Sequence, residues 1–154
     1  MIRLAVVVSH PIQYYAPWFR EIAQQQNLLL KVFYLWTFGV SRQLDRGFDQ
    51  QLQWDIELLD GYSYSFIPNR AVDPGTHHFA GLDNPSIVPE LVNWQPDAVL
   101  IFGYLYRSHL RLLLNPGLWR VPFLLRGDSH HLAPSGGLKP LIACVLRKVL
   151  FRRF

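Results

Sequence analysis

The sequence predicts a three-layer α/β domain built on a mainly parallel sheet of about five or more strands. Three observations carry this. Leu4-Ala5-Val6-Val7-Val8 is an unbroken apolar run, the pattern of a strand buried on both faces. A helical pattern and a second apolar run follow within about thirty-five residues, which is a βαβ unit and implies parallel pairing. Further apolar runs then recur, each ending in a polar, glycine- or proline-marked turn.

In order, Pro17 opens a helix in which Trp18, Phe19, Ile22 and Ala23 share a face, and Asn27 ends it. Leu28 to Leu35 is the second buried strand. Residues 36–62 read as a long polar loop, with a short strand near Trp54 to Leu58. Tyr62 to Ile67 alternates and stops at Pro68, giving a third strand. Residues 68–84 form a second long loop, and Asn84-Pro85 caps a helix running through Val92. Ala98 to Phe102 is a central strand and Leu105 to Leu114 a helix. Val121 to Leu125 is the fifth strand, with Pro122 near its start, where a missing donor is tolerated. Gly136-Gly137 leads into a last helix, from Leu138, whose apolar positions fall on one face.

Composition narrows the function. The formal net charge is +4, but residues 139–154 hold Lys139, Arg147, Lys148, Arg152 and Arg153 and no acid, while the rest of the chain carries ten basic and eleven acidic residues. The basic character is therefore a C-terminal feature. Aromatic and basic residues are not interleaved, so a nucleic-acid surface is not expected. Cys144 is the only cysteine, which excludes an internal disulfide and fits a reducing cytoplasm. No apolar run reaches eighteen residues. The basic helix reads either as a core helix with a charged outer face or as a segment that docks on an anionic membrane surface. In the second reading each basic residue adds roughly 1 kcal/mol.

Three polar loops follow strands that a parallel sheet brings to one edge: Ser9 to Tyr15, Gly103-Tyr104 to Ser108-His109, and Arg126 to His131. Convergence there is what a concave site requires. His10 either contacts an acceptor hydroxyl, acting as a general base, or bonds the backbone of its own turn. His130 has the same two readings, and Asp128, two positions earlier, can orient it. Arg126 either holds a phosphate or carboxylate or pairs with a neighbouring acid. His77-His78 sits mid-loop without further ligand spacing, so no metal ligands are assigned. Gly-rich phosphate loops, a nucleophile elbow and an Asp-x-Asp pair are all absent.

HPIQYYAP after the first strand, NPSI before a helix, PDAVLIFGY, and LLRGDSHHL followed by a basic helix ending LFRRF together resemble the N-terminal domain of GT-B glycosyltransferases of the family-4-like group. The resemblance runs from about residue 3 to the end. It implies a single Rossmann-like acceptor domain over residues 1–154 of an enzyme that transfers sugar without a metal or other cofactor. The lone cysteine adds the expectation of a cytoplasmic location, and the membrane-docking reading of the basic helix a peripheral one on the inner face of the membrane. The resemblance also implies substrate contacts at Ser9, His10, Gln13 and Tyr14, and a histidine near the reaction centre at His130 with Arg126 and Asp128 beside it. The loop convergence adds Gly103 and Tyr104 as substrate contacts, with His10 and His130 as the catalytic candidates. The acceptor would be a glycan or lipid-linked sugar. A nucleotide-sugar donor would be held only with a C-terminal domain or a second subunit, so this chain would be inactive alone. Ser9-His10 stands where many relatives carry a glycine pair, and the donor domain has no counterpart here, so the chain is expected to be a fragment or a subunit of a split enzyme. The alternative is a non-catalytic module that binds a membrane or a partner through the basic helix.

Overall fold

The computed structural model of the chain describes residues 1–40 and 57–127, together with the backbone of 44–45 and 50–51. The elements in order are β1 (Ile2–Val8), α1 (Ala16–Ala23), β2 (Leu28–Tyr34), β3 (Leu44–Asp45), β4 (Gln50–Gln51), β5 (Ser63–Phe66), α2 (Ile87–Trp94), β6 (Ala98–Phe102), α3 (Arg107–Leu113) and β7 (Phe123–Arg126). Five strands form one all-parallel sheet in the order β5-β2-β1-β6-β7, and β3 pairs with β4 in a separate antiparallel ribbon. This is the α/β, Rossmann-like architecture the apolar runs predict.

The periodicity of β1 explains the layers. Ala5 and Val7 belong to a core shared with Leu91 of α2 and Leu112 and Leu113 of α3. Val6 and Val8 belong to the opposite core, shared with Phe19 of α1. All four are under 2% exposed, so the strand has no solvent face and no place for a polar residue. β6 is divided in the same way, with Val99 and Ile101 on the α2/α3 side and Leu100 and Phe102 on the α1 side.

The strand register runs from Ile2↔Leu28 to Val8↔Tyr34 on one side of β1 and from Leu4↔Ala98 to Val7↔Ile101 on the other. The chain thus builds outward from β1 through β2 to β5, then returns to add β6 and β7 on the other side. The topological switch point lies between β1 and β6. At the amino edge, the Arg3 guanidinium lies 4.6 Å over the Trp94 ring and bonds the Trp94 carbonyl, while the Arg3 N–H donates to the Asp97 carboxylate at 2.7 Å. Gln95 closes α2 in the left-handed conformation, φ 54°.

Several boundaries differ from the sequence expectation for identifiable reasons. β7 begins at Phe123, because Pro122 has no N–H to give and contributes only its carbonyl, which accepts from Val99 at 3.0 Å. The strand then runs through Arg126, which is its last residue and not part of the following loop. α3 spans Arg107–Leu113, shorter at both ends than expected. Glu57 and Leu58 are not in a strand, and the rest of the short strand expected there falls outside the described residues.

Asn84 is the largest correction. It is fully buried and does not cap α2, whose N-cap is Ser86. Its Nδ2 donates to the Leu35 and Ile67 carbonyls at 2.9 and 2.8 Å, tying together the segments that leave β2 and β5. Its backbone N–H donates to Ser108 Oγ at 2.8 Å, and that hydroxyl's own proton is shared between Leu82 O and Asn84 Oδ1. Above this staple, Arg107 and Arg111 reach across from α3 to the Asp83 carboxylate, each at 2.8 Å. Burial opposes ionisation of Asp83, but the hydrogen bonds and charges of the two arginines outweigh it and hold its carboxyl below the usual range.

Replacing Asn84 by Ala leaves two buried carbonyls without their donor, and each such group costs about 1–3 kcal/mol. Asn84→Ala is therefore expected to lower the free energy of unfolding by about 3 kcal/mol, measured by urea denaturation. A loss under about 0.5 kcal/mol would show that the staple is dispensable.

Candidate functional site: a cleft at the β1/β6 switch point

Because β1, β6 and β7 are parallel, Val8, Phe102 and Arg126 finish at the same edge. There the chain leaving β1 and the chain leaving β6 diverge around a cleft of about 220 Å³. Val8, Ser9, Ile12 and Tyr15 line one side, Phe102, Gly103, Tyr104, Leu105 and Tyr106 the other, and Arg126 reaches in from β7.

Gly103 makes the divergence possible. It adopts φ +81°, a left-handed conformation that strains any residue with a Cβ. Its N–H donates to the Arg126 carbonyl at 2.8 Å, extending the β6–β7 ladder by one bond before the chain turns away. The turn places Tyr104, Leu105 and Tyr106 along the rim. Burial pushes the Tyr106 phenol up, and its hydroxyl donates to the Thr76 carbonyl at 3.1 Å, tethering the loop after β5 to the cleft wall.

Arg126 carries the only charge among the described residues lining the cleft. Its guanidinium carbon lies 5.1 Å from the Tyr15 ring, 5.2 Å from Trp18 and 5.5 Å from Phe102. Tyr15 in turn packs on Phe102 with centroids 4.7 Å apart. An aromatic cluster on a cation fixes its direction. A broader, open groove of about 610 Å³ continues from Arg126 past Tyr15 and Trp18 along α1, where Tyr14 and Trp18 are 73% and 43% exposed. The two concavities thus share Tyr15 and Arg126.

The predicted residues divide sharply. Ser9, Gly103, Tyr104 and Arg126 come together at the cleft, and Tyr14 lies on the adjoining groove. Gln13 sits in the turn between Ile12 and α1 and lines neither concavity. His10 does not line the cleft. Its ring packs edge-on against Trp36 and Phe38, centroids 5.8 and 5.4 Å away, on the β2 side of β1. It still touches the cleft's rim, since its Nδ1 and the Ser9 hydroxyl are 3.0 Å apart. Asp128, His130, and the basic residues Lys139, Arg147, Lys148, Arg152 and Arg153 lie outside the described residues. No helix among the described residues is long and apolar enough to cross a membrane.

Ser108 and His109, which the sequence puts in the second polar loop, turn inward as part of α3. His109 is fully buried beneath Tyr106, ring centroids 5.3 Å apart, and neither ring nitrogen has a partner. Tyr15 was placed in the first site loop without a role of its own, and Trp18 and Tyr106 are site residues that sequence reasoning did not single out. Their signal was the density of aromatics immediately after two buried strands. A separate constellation was also missed, in which Asp73 joins His77 and His78 within one loop.

Comparison with protein-family models, curated proteins and solved structures finds no match to this chain. What the fold and site define is an α/β, Rossmann-like domain with an aromatic, singly charged cleft at its switch point.

His109 makes the domain acid-sensitive. Burial lowers its pKa from 6.5 to about 4, so the folded state binds fewer protons than the unfolded state between those values. Above pH 6.5 both states hold it neutral and its contribution does not change with pH, and stability falls as pH drops from there toward 4, by up to about 3 kcal/mol. Thermal unfolding from pH 7.5 to 4 should show this slope. His109→Leu should flatten the part due to this residue while leaving stability at pH 7 equal or higher, because two unpaired polar atoms are removed. An unchanged slope in the variant would assign the acid sensitivity elsewhere.

Proposed function

We propose that this chain is the acceptor-binding half of a glycosyltransferase, holding a glycan or lipid-linked sugar in the cleft between β1 and β6. The observation that carries the reading is the cleft itself, a concavity at a switch point whose rim combines aromatic faces, hydroxyls and one directed cation. A sugar ring has C–H faces that stack on aromatic rings and a belt of hydroxyls that needs donors and acceptors. Tyr15, Tyr104, Tyr106 and Ser9 offer both kinds of contact. Arg126 suits a phosphate on a lipid-linked acceptor or on the leaving group of the donor.

In the transfer, an acceptor hydroxyl attacks the anomeric carbon of a nucleotide-activated sugar, the bond to the nucleoside diphosphate breaks, and the hydroxyl proton passes to a base. His130 is the candidate base, because it stands four residues after Arg126 in the sequence, with Asp128 two positions before it as the carboxylate to orient an imidazole. His10, packed against Trp36 and Phe38, positions Ser9 on the cleft rim. A second domain or subunit supplies the donor site.

Saturation-transfer NMR of the full chain against neutral, phosphorylated and lipid-linked oligosaccharides tests the reading. At least one should bind, and Arg126→Ala and Tyr104→Ala should each weaken it about tenfold, or about 1.4 kcal/mol. Trp119→Ala, at an exposed tryptophan before β7, should leave binding unchanged. Equal affinity in all three variants, or no oligosaccharide binding at all, would contradict the proposal.

A further inference from the structure

The loop after β5 carries a constellation unconnected with sugar transfer. Asp73, His77 and His78 turn one donor atom each toward a common point, with all three atoms within 4.8 Å of one another. His77 Nε2 lies 3.1 Å from Asp73 Oδ2, and His78 Nε2 lies 3.6 Å from the same oxygen. Two ligand atoms about 2.05 Å from a tetrahedral ion are separated by about 3.3 Å, so both edges that meet at Asp73 already have the span such an ion requires.

The rest of the loop holds these groups in place. His77 Nδ1 would lie 2.6 Å from a Cβ at position 75, so the ring rests directly on the backbone of Gly75. A Cβ at position 81 would meet the Gly75 carbonyl at 2.1 Å, so a glycine at 81 is needed to close the loop this tightly. The Gly75 N–H donates to the Gly81 carbonyl at 3.1 Å, and the Gly81 N–H donates to the His78 carbonyl at 3.2 Å. His78 Nε2, the atom that also faces Asp73 Oδ2, donates to the Asp73 carbonyl at 3.0 Å, a bond that a bound ion would replace, and the two imidazoles meet edge to face with centroids 4.5 Å apart.

We infer that Asp73, His77 and His78 form a binding site for a borderline divalent transition-metal ion, of which Zn2+ is the type. Two imidazoles and one carboxylate favour such an ion over Ca2+ or Mg2+, which take mainly oxygen ligands. Occupancy requires the Nε2 protons that now face Asp73 to leave, with the remaining imidazole proton on Nδ1. Three protein ligands leave a coordination position open to water or to an anionic group.

The test is Zn2+ titration of the full chain in competition with a chromophoric chelator, with Co2+ absorption as a second readout. One equivalent of Zn2+ should bind at micromolar or tighter affinity. His77→Ala, His78→Ala and Asp73→Ala should each weaken it at least tenfold, and the Co2+ complex should show the intense visible bands of tetrahedral coordination. His77 is exposed and Asp73 and His78 are partly so, and none lies in the core, so the variants should retain the metal-free melting temperature. Absence of a stoichiometric site, or affinity unchanged in His77→Ala/His78→Ala, where His10, His109, His130 and His131 remain, would overturn the inference. Neither result bears on glycan binding.

Discussion

The structure depends on one constraint: β1 is covered on both faces and paired on both edges. Its residues from Ala5 to Val8 have no route to solvent, and α1 on one side and α2 and α3 on the other exclude water from the strands beside it. A polar group cannot be built into such a strand, so chemistry can reside only where strands end. Parallel pairing then sends every β-strand of this sheet to finish at one edge, and the reversal of build direction at β1 and β6 opens that edge into a cleft. Fold and site are consequences of the same pattern of apolar residues.

That pattern is why the sheet was legible. Runs such as Leu4 to Val8 and Ala98 to Phe102 fix strands by what they cannot expose, and the short spacing between β1 and β2 fixes their parallel order. The end of β7 was harder, because Arg126 closes a strand whose start is delayed by Pro122. An arginine at a strand end looks like a loop residue until the ladder to Gly103 is seen. Asn84 was misread for a related reason. An Asn-Pro pair ahead of a helical pattern is a good cap signal, yet four long-range bonds claim its side chain and N–H here. Local chemistry is a weak guide where a buried polar group can satisfy distant carbonyls.

The candidate site was legible at the level of loops but not of rings. The sequence pointed to the loops after β1, β6 and β7, but the direction of each side chain depends on tertiary contacts. His10 turned to the aromatic pair Trp36 and Phe38, while Tyr15 took the place beside Arg126. Ser108 and His109 looked like polar rim residues but are drawn inward by the helix they belong to. The Asp73, His77, His78 constellation escaped because its ligands come together through a glycine-closed turn, which no helical or strand spacing encodes. Its signal was present in the Gly75 and Gly81 that bracket the histidines.

The central claim is that the switch-point cleft, and not the helix faces or the opposite edge, is where this domain meets its ligand. Backbone amide NMR during titration with an oligosaccharide found to bind tests it most directly. The account predicts shifts concentrated at residues 9–15, 102–106 and 123–127. Shifts confined to the amino edge, around Asn27, Asp97 and Trp119, would contradict it.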